Sequence, residues 1–87
     1  MQSPSTEVSP ADVRRWLIER VAHYLERAPE SVDPDVDLVR YGFDSVQAVC
    51  VSADFADAFG VEVPAKVLLD SVTIAEIAGE LHVLVGR

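Results

Sequence analysis

The 87-residue sequence predicts an all-α fold, a small four-helix bundle of three longer helices and one short one. Three observations carry this. Capping signatures recur where apolar spacing becomes helical, at Ser9-Pro10-x-Asp12, Asp44-x-x-Gln47 and Thr73-x-x-Glu76. Apolar residues between them recur every three to four positions. Strand signals are missing, with neither alternating runs nor hairpin dipeptides.

The first helix starts with Ser9 as N-cap, Pro10 at N1 and Asp12 at N3. Steps of about 100° place Val13, Leu17, Val21, Tyr24, Leu25 and Ala28 on one stripe, with Arg15, Glu19, His23 and Glu26 opposite. Pro29 is expected to end it. Trp16 lies at the stripe's margin beside Arg20, either as a rim residue packed on its neighbours or as a docking residue. Residues 29–43, "PESVDPDVDLVRYGF", are too long for a tight turn. They are expected to form a structured loop pinned by Val32, Val36, Leu38, Val39 and Phe43, with Gly42 permitting a sharp bend. The second helix has Asp44 as N-cap and Ser45 at N1, and runs to Phe59 before Gly60 as C-cap. A short third helix begins near Pro64 and carries Val67, Leu68 and Leu69. The fourth buries Ile74, Ile77, Ala78, Leu81 and Leu84, is weakened by Gly79, and ends near Gly86.

The second helix is apolar on two sides. Ala48, Val51, Phe55 and Phe59, flanked by Ser52 and Ala58, form the core stripe, while Val46, Val49, Cys50, Ala53 and Ala56 occupy the other side. The short third helix could cover that second face. A partly exposed patch bordered by Asp44, Asp54, Asp57 and Glu62 is favoured, because a bundle this small cannot enclose a helix completely.

Composition excludes several classes. A single domain is expected, with residues 1–8 as a flexible tail or linker and residues 9–87 as the folded domain. The hydrophobic fraction of 49% is that of a globular chain, and the net charge of −8 argues against nucleic acid. From Glu30 to Glu62 there are eight acids against one base, Arg40, so nearly all the surplus lies in one window and points it at a basic protein surface. The single cysteine, Cys50, suits a reducing cytoplasm, and it has no neighbouring base by sequence to activate it, so a small half-buried apolar role is expected. No apolar run is long enough to span a bilayer, and the first residues lack a signal-peptide pattern. No membrane association is expected, and the isolated domain is expected to be monomeric. "DPDVD" (Asp33, Asp35, Asp37) imitates a calcium loop, but Leu38 stands where Gly is needed, Pro34 intrudes and Asp44 replaces the closing Glu, so no metal site is expected.

Ser45 has three readings. It can be an ordinary first-turn residue of the capped helix. As a nucleophile it lacks a G-x-S-x-G elbow, and His23 and His82 lie on other helices with no evident route to it. No catalytic residue is therefore expected. As an attachment point it makes physical sense, since an N1 side chain projects beside free N–H groups at the positive end of the helix dipole, which favours a phosphodiester.

The stretch "GFDSV" resembles the D-S-[LIV] motif of acyl carrier proteins, the phosphopantetheine-binding carrier domains, here of polyketide-synthase type. The similarity runs from about Val13 to Leu84, through the acid-rich loop, "YGFDSVQAV", "FGVEVP" and "PAKVLLDSVTIAEIAGEL". The resemblance implies that Ser45 accepts 4′-phosphopantetheine from coenzyme A through a separate Mg²⁺-dependent phosphopantetheinyl transferase, with Asp44 helping that enzyme recognise the site. It implies a non-catalytic carrier of acyl or polyketide thioesters for a ketosynthase, an acyltransferase and other synthase domains. The partner interface it implies comprises Val46, Val49, Cys50, Ala53, Asp54 and Asp57. Cys50 stands where many relatives have Glu, which moves the acidic contact to Asp54 and Asp57, and Ser71-Val72 replaces an aromatic or His followed by Pro. Gly42-Phe43 differs from the Gly-Gly usual in peptidyl carriers. The alternative from another class is an unmodified helical adaptor that binds a protein through the same patch.

Overall fold

A computed structural model describes residues 8–86. Four α-helices follow in order: α1 (Pro10–Leu25), α2 (Ser45–Phe59), α3 (Ala65–Asp70) and α4 (Ile74–Val85). Two 3₁₀ turns, Pro29–Ser31 and Leu38–Tyr41, lie in the long first loop. Among the described residues there is no strand. Of the expected 1–8 tail only Val8 is described. Its side chain packs against the core, and its carbonyl lies 3.0 Å from His82 Nε2 in the last turn of α4.

All three longer helices begin with complete capping boxes, each satisfying two N–H groups that a helix start leaves unpaired. The core is one cluster: Val13, Leu17 and Val21 from α1, Ala48, Val51 and Phe55 from α2, Leu68 from α3, and Ile74, Ile77 and Leu81 from α4, closed by Val32 and Leu38 from the loop. Phe55 is fully buried, stacked on Phe59 with centroids 4.2 Å apart and met edge-on by Trp16 at 5.2 Å. Trp16 is thus a rim residue, with the Arg20 guanidinium over its ring, 5.2 Å from the centroid.

Three expectations need correction. The first helix stops at Leu25, four residues before Pro29. Pro29 forces Ala28 into an extended conformation, so the helix must unwind earlier. It does so through Glu26 in the left-handed region (φ 58°), with Glu26 N–H reaching His23 O and Arg27 N–H reaching Ala22 O. Ala28 is consequently exposed rather than on the core stripe, as is Ala58 near the end of α2. Val39 is no pin, being 74% exposed, because the 3₁₀ turn that buries its neighbour Leu38 turns Val39 outward.

The loop is held at several points. Tyr41 Oη accepts the Asp33 N–H at 2.8 Å while Arg27 lies over the Tyr41 ring at 4.7 Å. Leu38 N–H donates to Val72 O at 2.9 Å, and Ala75 N–H to Pro34 O at 3.0 Å, fastening the loop to the start of α4. These bonds fix where the chain re-enters at α2.

Candidate functional site

The site is built around the first turn of α2. Gly42 (φ 82°) provides the bend into it, and Asp44 then adopts extended geometry as N-cap. Asp44 Oδ1 accepts the Gln47 N–H at 2.8 Å, and Gln47 Oε1 accepts the Asp44 N–H at 3.0 Å. Ser45, at N1, is exposed. With the Asp44 and Gln47 N–H groups taken by the box, those of Ser45 and Val46 remain at the open, positive end of the helix. A phosphodiester on Ser45 Oγ therefore fits the residues present: it meets solvent, two unpaired N–H groups and the dipole. The Asp44 carboxylate beside it carries like charge and is already turned onto Gln47.

The second face of α2 is only partly covered. Helix α3 packs along α2, yet Val46 remains 70% and Val49 48% exposed, and Ala53 and Asp57 face solvent in the same sector. Cys50 is half-buried at its edge, a free thiol. Asp54 is placed differently. Its Oδ2 accepts the Tyr24 hydroxyl at 2.6 Å and lies 3.5 Å from Arg20 Nη1, so its carboxylate faces α1. Helical spacing places Asp54 at the border of the α2 patch, but nothing in the sequence names Tyr24 or Arg20 of α1 as its partners.

Apolar side chains outside α2 join the exposed surface: Val39 of the loop, Leu69 of α3 and Val72 before α4. Val39 and Val72 are brought close by the Leu38–Val72 backbone bond. Their exposure depends on tertiary placement, and the only hint in sequence was that Val72 replaces a more usual proline.

The remaining candidates have local roles. Asp33 Oδ1 accepts the Asp35 N–H, and Asp37 Oδ1 accepts the Val39 N–H as cap of the second 3₁₀ turn. Among the described residues no cluster of His, Cys, Asp and Glu is arranged to hold a metal ion. His23 is exposed on α1 against the Tyr24 ring, and His82 holds Val8. No helix among the described residues is long and apolar enough to cross a membrane.

Known proteins resemble the chain in both sequence and fold. The family described as "Phosphopantetheine attachment site" matches residues 15–81, a span that includes Ser45. A phenolphthiocerol/phthiocerol polyketide synthase polypeptide of Mycobacterium tuberculosis is 32% identical over 71 residues, 82% of this chain and 4% of that protein. Pseudomonine synthase PmsE of Pseudomonas entomophila is 35% identical over 68 residues, 78% of this chain and 11% of that protein. The chain thus spans a small fraction of the curated relatives it matches. Among solved structures, a free-standing peptidyl carrier protein from an uncharacterized secondary metabolic pathway of Acinetobacter baumannii superposes with a TM-score of 0.79 at 31% identity, covering 88% of this chain and 94% of that one. The HMG-ACPI domain of the CurA module from Lyngbya majuscula gives 0.81 at 21% identity, covering 99% and 88%, which speaks for the fold alone.

Proposed function

The chain belongs to the phosphopantetheine attachment site family, a family of non-catalytic carriers with covalently attached 4′-phosphopantetheine, and from that premise we propose that Ser45 is the attachment residue. The observation that carries the proposal is the placement of an exposed serine at N1 of a fully capped helix, within the matched span. The arm supplies a terminal thiol on which acyl or polyketide intermediates ride as thioesters. The chain supplies the attachment oxygen, the electrostatics of the helix end and a surface for the enzymes that act on the cargo. Relatives in a polyketide synthase and in pseudomonine synthase, with a peptidyl carrier protein among the structural neighbours, favour this carrier reading over an unmodified adaptor.

Carrier domains of such systems work with synthase enzymes or domains. For this chain we assign a phosphopantetheinyl transferase as the modifying partner, recognising Asp44, and a ketosynthase and an acyltransferase among the users of the cargo. Val46, Val49, Ala53 and Asp57 form the docking face, with Cys50 and Asp54 at its margin. The assignment is supported by the exposed apolar sector on α2 and the acids around it. Residues 9–87 are assigned as the carrier domain and residues 1–8 as a tail or linker whose last residue, Val8, packs onto that domain, and the domain is assigned as monomeric and cytoplasmic.

The test is intact-protein mass after incubation with coenzyme A, Mg²⁺ and a broad-specificity phosphopantetheinyl transferase. The expected outcome is a gain of one phosphopantetheinyl group, abolished in Ser45→Ala. A folded wild-type protein that gains no mass would refute the assignment, and a gain surviving in Ser45→Ala would move the site elsewhere.

A further inference from the structure

Gln47 occupies the third position of α2, and both ends of its side-chain amide are engaged. The oxygen accepts the Asp44 N–H at 3.0 Å, closing the capping box. The nitrogen donates to the Tyr24 carbonyl at 3.2 Å, on the last turn of α1. That carbonyl belongs to the group a helix end leaves without an N–H partner. The turn after α1 directs the next two N–H groups to Ala22 and His23, leaving Tyr24 O to Gln47. One side chain therefore completes the start of one helix and the finish of another.

The same contact is the polar link nearest the modification turn. The others between these helices, Tyr24 Oη and Arg20 Nη1 to Asp54, lie almost two turns further along α2. The first turn of α2 thus meets α1 through the Gln47 side chain, and the later part through Asp54.

We propose that Gln47 is a positioning residue for modification at Ser45: by tying the Asp44 N–H to the Tyr24 carbonyl, it holds the turn that bears the serine in one orientation for the incoming transferase. The proposal rests on Ser45 as attachment site. Group transfer needs the attacking hydroxyl placed within a fraction of an ångström, so a first turn free to rock loses rate even when docking is intact.

Gln47→Glu separates the two roles. A carboxylate still accepts the Asp44 N–H, and it suits a helix start, but it cannot donate to Tyr24 O. Gln47→Ala removes both bonds. Steady-state kinetics of phosphopantetheinyl transfer are measured for wild type and both variants, with Ser9→Ala as a control that removes the α1 cap without touching this link. Amide hydrogen exchange at Gln47 and Ala48, whose N–H groups bond Asp44 Oδ1 and Asp44 O, gives a readout independent of the transferase. The expected result is about a tenfold loss of kcat in both Gln47 variants. KM for the carrier should stay unchanged, and exchange at Gln47 and Ala48 should be about fivefold faster. Ser9→Ala should match wild type in kcat. A Gln47→Glu variant with wild-type kcat and exchange overturns the inference and reduces Gln47 to a cap. An equal loss in Ser9→Ala overturns it as well, because general stability would then explain the effect. Failure of wild type to be modified at all would instead refute Ser45 as the site, while the exchange readout would still decide whether Gln47 holds the turn.

Discussion

Tyr24 works from both ends of its residue. Its carbonyl takes the Gln47 amide, and its hydroxyl donates to Asp54 at 2.6 Å. The Asp54 carboxylate accepts the phenolic proton, and partial burial and the negative charge of Asp54 add to the effect, so the phenol titrates above its ordinary value of 10.0. Because the folded value is raised, the associated stability is fully present below pH 10.0 and fades as pH climbs through the folded pKa. An absorbance titration compared with Tyr24→Phe, which leaves Tyr41 as the other phenol, isolates this group. Asp54→Ala should bring its midpoint back toward 10.0, and an unmoved midpoint would show that Asp54 is not the cause. Tyr24→Phe should lower the midpoint of denaturant unfolding, because one side-chain hydrogen bond is lost. Asp54 marks how far a single residue can be read in advance. Its place on the margin of the α2 patch follows from helical spacing, but its engagement by α1 depends on how the two helices cross.

Helix α4 holds a residue that weakens it without a packing reason. Gly79 lies mid-helix, and a Cβ added there meets nothing within 4 Å. Gly79→Ala should therefore stabilise the fold by about 1 kcal/mol, the helix-propensity difference. For a domain of this size that raises Tm by about 4–8 °C. A lower Tm would mean the site is tighter than the geometry shows. The starts of α1, α2 and α4 were legible in sequence to the residue, because a capping box is complete within four positions and needs no tertiary partner. The stop at Gly60 was legible for the same reason, since glycine favours the left-handed cap at φ 70°. The stop at Leu25 was not: Glu26, with no intrinsic preference for that region, is placed there by the constraint Pro29 sets on Ala28. Val32 and Leu38 were identified as loop pins by hydrophobicity, while Val39, equally hydrophobic, faces solvent. In a loop without a period, composition names the candidates but cannot choose among them. The candidate site follows the same division. Ser45, Asp44 and the exposed side of α2 emerge from local pattern, whereas the contributions of Leu69, Val72 and Tyr24 come from packing between elements.

Over the whole molecule, charge and position are both unevenly distributed. The acids are concentrated between Glu30 and Glu62, with Asp44 and Asp57 exposed on α2, whereas Arg14, Arg15 and Arg20 lie on α1, and Arg20 is already beside Asp54. Association through α2 should therefore be steered by charge. KM of the transferase for this carrier is expected to rise severalfold as ionic strength increases from low to physiological, since screening shortens the reach of exposed charges to about 8 Å. Asp57→Lys should reproduce much of that rise at low salt, and a KM indifferent to both salt and Asp57 would place docking elsewhere. The contact between Val8 and His82 has a further consequence. It puts the beginning of α1 beside the end of α4, while Gln47 puts the beginning of α2 beside the end of α1. Val8 and the last turn of α4 thus share one pole of the bundle, and Ser45 stands at the other, separated by the 16 residues of α1, or about 24 Å of helix. The modified turn is thus held a full helix length from the contact between Val8 and His82, so a substitution at that contact should leave the geometry around Ser45 untouched.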